Sequence, residues 1–238
     1  MESAAAVRHV VITGAAGSLG QAVASRFAGE GARLALIDRD LQHLQSVFAH
    51  PDADSGMLLF EADVTSEASM GKVAQDILGT FGAVDVLVHV AGGFEMGDPT
   101  HAISRESWMR MMDLNAWSLV AVTRHFMPAM LARHSGKVIA VSARGASAGA
   151  AAMGAYCASK SALQRLVESL SREVRGAGIN VNSIAPGILD TPANRRDMPA
   201  ADPSVWVSTG VAARVVAFLA SDGAQAIHGQ HVVLDGLS

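Results

Sequence analysis

Across its 238 residues the chain is half apolar, carries only 17% charged side chains and has a formal net charge of −4. That length suits a single α/β domain spanning 1–238, and the missing basic surplus argues against nucleic acid and anionic membrane surfaces as partners. A lone cysteine, Cys157, excludes an internal disulfide and fits a reducing compartment.

The mean hydropathy of +0.28 suits a parallel sheet covered on both faces and leaves apolar surface for a subunit interface. No apolar run approaches the roughly eighteen residues of a membrane span. The first nine residues hold an acidic second position and no long apolar core, so no secretory leader is predicted and the expected location is cytoplasmic.

The first strand is predicted over 8–13. A turn, Gly14-Ala15-Ala16-Gly17-Ser18-Leu19-Gly20, follows directly and opens a helix over 18–29 that Gly31 is placed to end. Strand, tight glycine turn and helix N-terminus form a dinucleotide-binding pattern. Glycines let the backbone approach a pyrophosphate, and the free helix N–H groups and dipole favour its charge. The second strand, 33–37, ends in Asp38. A carboxylate there can hold the adenosine ribose hydroxyls and repels a 2′-phosphate, whereas Arg39 could serve NADP. NAD(H) is the expected cofactor, with NADP(H) possible. Asp38 could instead cap the helix starting at Leu41, a role open equally to Asp40.

A third strand over 57–60 leads to Asp63-Val64, a helix over 66–81 and a strand over 84–90. Ala91, Gly92 and Gly93 at the end of that strand suit close approach by a planar ligand. Helical patterning fills 104–133 around Asn115. The strand 138–141 delivers Ser142 at its end, and a helix over 155–175 follows. After a strand over 179–184 comes Pro186-Gly187-Ile188-Leu189-Asp190-Thr191-Pro192. The segment 188–210 is expected to be a polar loop, long enough to suggest a substrate role. A helix over 211–221 and the strand His231–Leu234 complete the chain. Alternating strands and helices predict a doubly wound parallel sheet with helices on both faces.

Tyr156 and Lys160 fall four apart on the 155–175 helix, which stacks both side chains on one face. Tyr156 is the sole tyrosine, and Lys72, Lys137 and Lys160 are the only lysines. An ammonium beside a phenol favours the phenolate, and a three-unit fall from about 10 needs roughly 4 kcal/mol of differential stabilisation. The expectation is a tyrosine tuned toward neutral pH for proton transfer.

With these residues in order, the chain resembles the short-chain dehydrogenase/reductase family over nearly its whole length. The matching elements are Thr13-Gly14 to Gly20, Asp38, Asp63-Val64, Ala91-Gly92, Asn115, Ser142, Tyr156-x-x-x-Lys160, Asn180-Val181-Asn182 with Pro186-Gly187, and Gly229-Gln230 with Asp235-Gly236. The resemblance implies a seven-stranded Rossmann sheet, dimers or tetramers, and reversible hydride transfer between nicotinamide and a carbonyl carbon. It also implies that Tyr156 is the acid or base and that Lys160 lowers its pKa and bonds the nicotinamide ribose. Ser142 would hold the substrate oxygen, and Asn115 would help order a relay water. Asp63 and Val64 would line the adenine pocket, and Ile188 and Thr191 would hold the carboxamide.

Three departures stand out. Ser18 occupies a position where the family commonly has glycine. His89-Val90-Ala91-Gly92 replaces Asn-Asn-Ala-Gly, which is expected to lose a core side-chain contact. Ser142 precedes Tyr156 by fourteen residues where thirteen is commoner. A narrower resemblance, to dihydropteridine reductases, runs through the glycine turn, Val90 to Phe94, Leu189 to Arg196, and Trp206. Those enzymes lack the serine, so Ser142 favours an ordinary carbonyl or alcohol while the 188–210 segment favours a pterin. A regulator that binds nucleotide without chemistry is the third alternative.

No metal is expected: His228 and His231 lack further ligands at zinc spacing. Trp108, Met109, Met111 and Met112 are read as packing or subunit contact. Arg195 and Arg196 could grip an acidic substrate or pair on the loop surface, and Trp206 could cap a pocket or anchor its loop.

Overall fold

The computed structural model describes residues 7–48 and 56–237. The first six residues, on which the leader expectation partly rests, lie outside the described residues. Seven parallel strands form the sheet: β1 (His9–Thr13), β2 (Arg33–Asp38), β3 (Met57–Glu61), β4 (Val86–His89), β5 (Gly136–Val141), β6 (Ile179–Pro186) and, at the far edge, β9 (His231–Leu234). Their order is β3-β2-β1-β4-β5-β6-β9. The chain therefore winds one way from β1 to β3 and returns to the other side of β1 with β4. That reversal opens a crevice above the C-terminal ends of β1 and β4, the place where such sheets bind ligands.

Strand side chains alternate between two cores. Val10 and Ile12 of β1 and Leu34 and Leu36 of β2 face a cluster closed by α1 (Ser18–Ala28), α2 (Leu41–Val47) and α8 (Thr209–Leu219). Val11, Ala35 and Ile37 face a second cluster under α3 (Glu67–Phe81), α5 (Ser118–Arg133) and α6 (Gly154–Val174). Apolar residues on both sides of every central strand account for the high apolar content. Each fully buried leucine or isoleucine contributes roughly 1.5–3 kcal/mol.

Local signals place the helix ends. Asp40 caps α2 by accepting from the His43 N–H, so the capping alternative for Asp38 falls away. Ser66 and Ser208 cap α3 and α8 in the same way. Gly31, at φ 76°, closes α1: its N–H bonds Ala28 and the Ala32 N–H bonds Phe27, the paired pattern of a left-handed glycine terminus.

Two segments differ from the expectation. The helical run 104–133 is broken into α4 (Arg105–Met112), a π-turn (Asp113–Trp117) and α5. The segment 188–210 is not a bare loop. It holds β7 (Leu189–Asp190) paired with β8 (Val207–Ser208), and α7 (Pro192–Asp197), capped by Thr191 and started by Pro192. Trp206 is buried beside Gly236 and serves as the anchor of this segment. Among the described residues no helix is long and apolar enough to cross a membrane.

Candidate active site

The glycine turn lies at the mouth of the crevice. A Cβ on Gly14 would stand 2.7 Å from the Ala91 nitrogen, so glycine alone lets the β1 turn and the β4 exit meet. A Cβ on Gly20 would collide with the Gly14 carbonyl. At Gly17 the same atom would meet nothing closer than 3.5 Å, which leaves the backbone open to a ligand. Gly17 begins α1 without a side-chain cap, and no acidic residue occupies its first turn. Ser18 starts the helix, while Leu19 and Gly20 are buried under the turn. A backbone cradle with uncapped N–H groups fits a pyrophosphate.

Asp38 ends β2 at the rim of this cradle. One carboxylate oxygen accepts from the Ala16 N–H at 2.9 Å and the other from the Arg39 N–H at 2.8 Å. The turn thus holds the carboxylate in place, with Arg39 exposed beside it. Asp63 is exposed and folds back on Thr65 through two bonds to one oxygen, while Val64 is buried against the second core. Across the crevice the Gly187 N–H bonds Leu234 just after Pro186. Ile188 is partly exposed, and the Thr191 hydroxyl is engaged as the α7 cap.

Tyr156 and Lys160 project from the first turns of α6. Lys160 is buried, and its Nζ donates to the Val141 carbonyl at 3.0 Å. Gly92 is exposed opposite it, and a Cβ there would stand 3.0 Å from that Nζ and 2.9 Å from Asn115 Oδ1. Any side chain at 92 would crowd both groups, so glycine is what lets the β4 exit lie against the lysine and Asn115. Burial pulls the Lys160 pKa down from 10.5 to about 8. Burial, with Cys157 second, pushes Tyr156 up from 10.0 to about 12. The expected fall in the tyrosine pKa is therefore absent. With its ammonium bonded to Val141, Lys160 does not offset the desolvation of the phenol, and both groups shift toward their neutral forms.

Asn115 sits in the π-turn, and its amide closes a two-way pair with Gly93. Gly93 N–H donates to Oδ1 at 2.9 Å, and Nδ2 donates to the Gly93 carbonyl at 3.0 Å. Nδ2 also donates to Ser159 Oγ, which in turn donates to the Tyr156 carbonyl. A π-turn offsets the helical ladder by one residue and is frequent at functional sites. Ser142 follows β5 as expected, but its hydroxyl is buried and donates to the Lys160 main-chain carbonyl at 3.5 Å. In this arrangement it faces the body of α6.

Sequence reasoning gave no role to Phe94. Its exposed ring meets the Tyr156 ring edge-on, with centroids 4.9 Å apart and planes at 78°. Next to it, Glu95 accepts from Ser107 and Arg110, and the Gly97 N–H bonds Ala152. This clasp fixes the Phe94 segment over the pocket. Phe94 carries no local signal beyond an aromatic residue following paired glycines. The expectation for His89 is overturned, because the imidazole bonds both Thr13 and Ser118. Arg195 forms a two-pronged pair with Asp190 on its own segment, the surface-pair alternative. Among the described residues no cluster of three metal-ligating side chains occurs.

Fold and pocket together define a class: a dinucleotide-dependent oxidoreductase working on a carbon–oxygen bond. The family model for short chain dehydrogenases matches residues 8–201. A cis-4-hydroxycyclohexanecarboxylate dehydrogenase of Sinomonas cyclohexanicum is 32% identical over 99% of this chain and 98% of its own. An NADPH-dependent pterin aldehyde reductase of Arabidopsis thaliana is 32% identical over 79% and 78%. The crystal structure of levodione reductase superposes with a TM-score of 0.88 at 28% identity, over 96% of each chain. The chain belongs to the short-chain dehydrogenase/reductase family, and its activity is NAD(P)-dependent oxidoreduction at CH–OH and C=O groups.

Proposed function

We propose that the protein is an NAD(H)-preferring enzyme for a small carbonyl or its secondary alcohol, with Tyr156 as proton donor and acceptor. The observation that carries this is the Tyr156–Lys160 pair on one helix face, the tyrosine half-buried and the lysine buried close against Gly92 at the β4 exit. When bound, the nicotinamide supplies or accepts the hydride. Tyr156, held protonated by burial, offers its O–H to the substrate oxygen, the state that reduction requires. Oxidation needs the Lys160 ammonium turned from Val141 onto the phenol, where it would draw the proton off. Asn115 locks Gly93 and so keeps the β4 exit in line with Tyr156. Asp38, already held by the turn, supports NAD over NADP because a fixed carboxylate repels a 2′-phosphate. Exposed Trp108, Met109, Trp117 and Leu131 support a homodimer or homotetramer built through α4 and α5. The single buried Cys157 fits a cytoplasmic setting.

Tyr156→Phe should abolish turnover and leave NADH affinity within about two-fold, because only the transition state uses the hydroxyl. Undiminished turnover would sink this reading.

A second reading, reduction of a quinonoid pterin, draws on the orientation of Ser142 toward α6. It predicts that Ser142→Ala is nearly harmless. A serine that rotates outward to hold a carbonyl oxygen would instead cost about 10²-fold in kcat, the usual loss of one oxyanion donor.

A further inference from the structure

Thr13, His89 and Ser118 form one continuous hydrogen-bonded chain through the middle of the sheet. Thr13 Oγ1 lies 2.9 Å from His89 Nδ1, and His89 Nε2 lies 2.9 Å from Ser118 Oγ. Both ends are fixed by backbone groups. The Ala91 N–H can only donate, and it reaches Thr13 Oγ1 at 3.4 Å. The Leu114 carbonyl can only accept, and it takes the Ser118 hydroxyl proton at 2.7 Å. With its own proton given to Leu114, Ser118 must accept from Nε2, so Nε2 carries the imidazole proton. Nδ1 is then bare and accepts from Thr13. The direction of every bond follows from the two ends.

The chain ties together the pieces on which the pocket depends. Thr13 is the last residue of β1, directly before Gly14. His89 is the last residue of β4, directly before the exit that carries Gly92. Leu114 precedes Asn115 inside the π-turn, where the helical ladder is out of register and needs an outside hold. We propose that His89 is a positioning residue whose two nitrogens do separate work, Nδ1 seating the glycine turn for the cofactor and Nε2 seating the π-turn that carries Asn115. Full burial keeps the ring neutral, with its pKa lowered to about 3, so the arrangement does not switch near neutral pH. The assignment rests on the proposed reading of the Tyr156 pocket.

Two substitutions separate the arms. The asparagine amide is short and reaches the place of Nδ1, while the glutamine amide reaches the place of Nε2. His89→Asn should therefore keep NADH affinity within about two-fold and lower kcat about ten-fold, the effect of about one net hydrogen bond. His89→Gln should do the reverse, weakening NADH about ten-fold with kcat nearly unchanged. Ser118→Ala should match His89→Asn, and the double variant should be no worse than either alone, because both remove the same contact.

Turnover is referred to NADH-binding sites titrated by fluorescence, so unfolded protein drops out. A purely structural histidine would alter melting alone, with kcat per site and NADH affinity unchanged in both variants; that result, or equal losses of both quantities in both variants, overturns the assignment. Nitrogen-15 shifts of the His89 ring provide a readout independent of turnover. A neutral Nε2–H form from pH 5 to 9 is expected, and an Nδ1–H form or a titration in that range overturns the chain. Failure of the proposed Tyr156 role would show instead as full turnover by Tyr156→Phe.

Discussion

Replacing Lys160 with methionine should stabilise the ligand-free protein at pH 7 while removing its activity. The lysine is wholly buried, and burial lowers its pKa from 10.5 to about 8. At about 1.4 kcal/mol per pH unit, that gap means the folded state carries about 3 kcal/mol of charge-burial cost at neutral pH. Methionine fills the same volume without charge. It forfeits the bond from Nζ to the Val141 carbonyl and leaves that acceptor wanting a donor, at about 1–2 kcal/mol. The balance favours the variant by about 1–2 kcal/mol, or about 2–8 °C in Tm for a chain of this size.

The pH dependence gives the signature. Below pH 8 the lysine is charged in both states and the wild type bears the whole cost. Between pH 8 and 10.5 the unfolded chain holds a proton that the folded chain has lost, so wild-type stability rises with pH. The methionine variant has no such rise, and its advantage should become a deficit by pH 10.5. Tyr156, pushed up to about 12, destabilises both proteins alike above pH 10 and cancels in the difference. Urea unfolding followed by tryptophan fluorescence from pH 7 to 10.5 measures this. A variant less stable than wild type at pH 7, or a difference flat with pH, would refute the reasoning.

Two further outcomes test the pocket. In Gly20→Ala the new methyl would collide with the Gly14 carbonyl and approach the Ala15 Cα to 2.7 Å, all backbone, so the turn must open. NADH affinity measured by fluorescence titration should fall at least about ten-fold, and wild-type affinity would remove this turn from the cofactor site. Phe94→Ala deletes the ring packed edge-on against Tyr156. KM for an alicyclic ketone should rise about ten-fold with kcat little changed, and KM for a two-carbon aldehyde should stay put. An equal rise for both substrates would mean that Phe94 shapes the site rather than touching substrate.

The parts of this molecule that depend on short-range pattern were legible in the sequence. The β1 strand, glycine turn and α1 follow from period and turn chemistry over about twenty neighbouring residues, and Tyr156–Lys160 follows from helical spacing. The π-turn did not show, because the apolar pattern runs through 113–117 and no residue type there marks a register shift. Within 188–210 the signals were present in Thr191 and Pro192, but a six-residue helix is too short for periodicity to reveal. The role of His89 could not be read locally at all. Its partners lie 76 and 29 residues away, so only the tertiary fold brings them to it. The sign of the Tyr156 shift failed for a related reason. Spacing places the lysine on the right face, yet where its ammonium bonds depends on a carbonyl of β5 that spacing does not contain.

That same tertiary burial makes His89 a source of acid sensitivity. In the unfolded chain its pKa is near 6.5, whereas burial first, and the Lys160 charge second, lower it to about 3 in the fold. A histidine with a lowered folded pKa contributes stability that is whole above pH 6.5 and is lost as pH falls toward 3, since only the unfolded state takes up the proton. Between pH 6.5 and pH 5 the loss amounts to about 2 kcal/mol. The lowered carboxylates Glu95, Asp190 and Asp202 are common to wild type and variant, so they cancel in the difference. His231 is also lowered by burial but is common to wild type and variant, and it cancels between them. His89→Gln, which does not ionise, should therefore show a shallower fall in urea-unfolding stability across this interval, by about 2 kcal/mol at pH 5. Parallel curves for the two proteins would mean that the buried imidazole is reached by water or protonated in the fold, and the directed chain from Ala91 to Leu114 could not then stand as drawn.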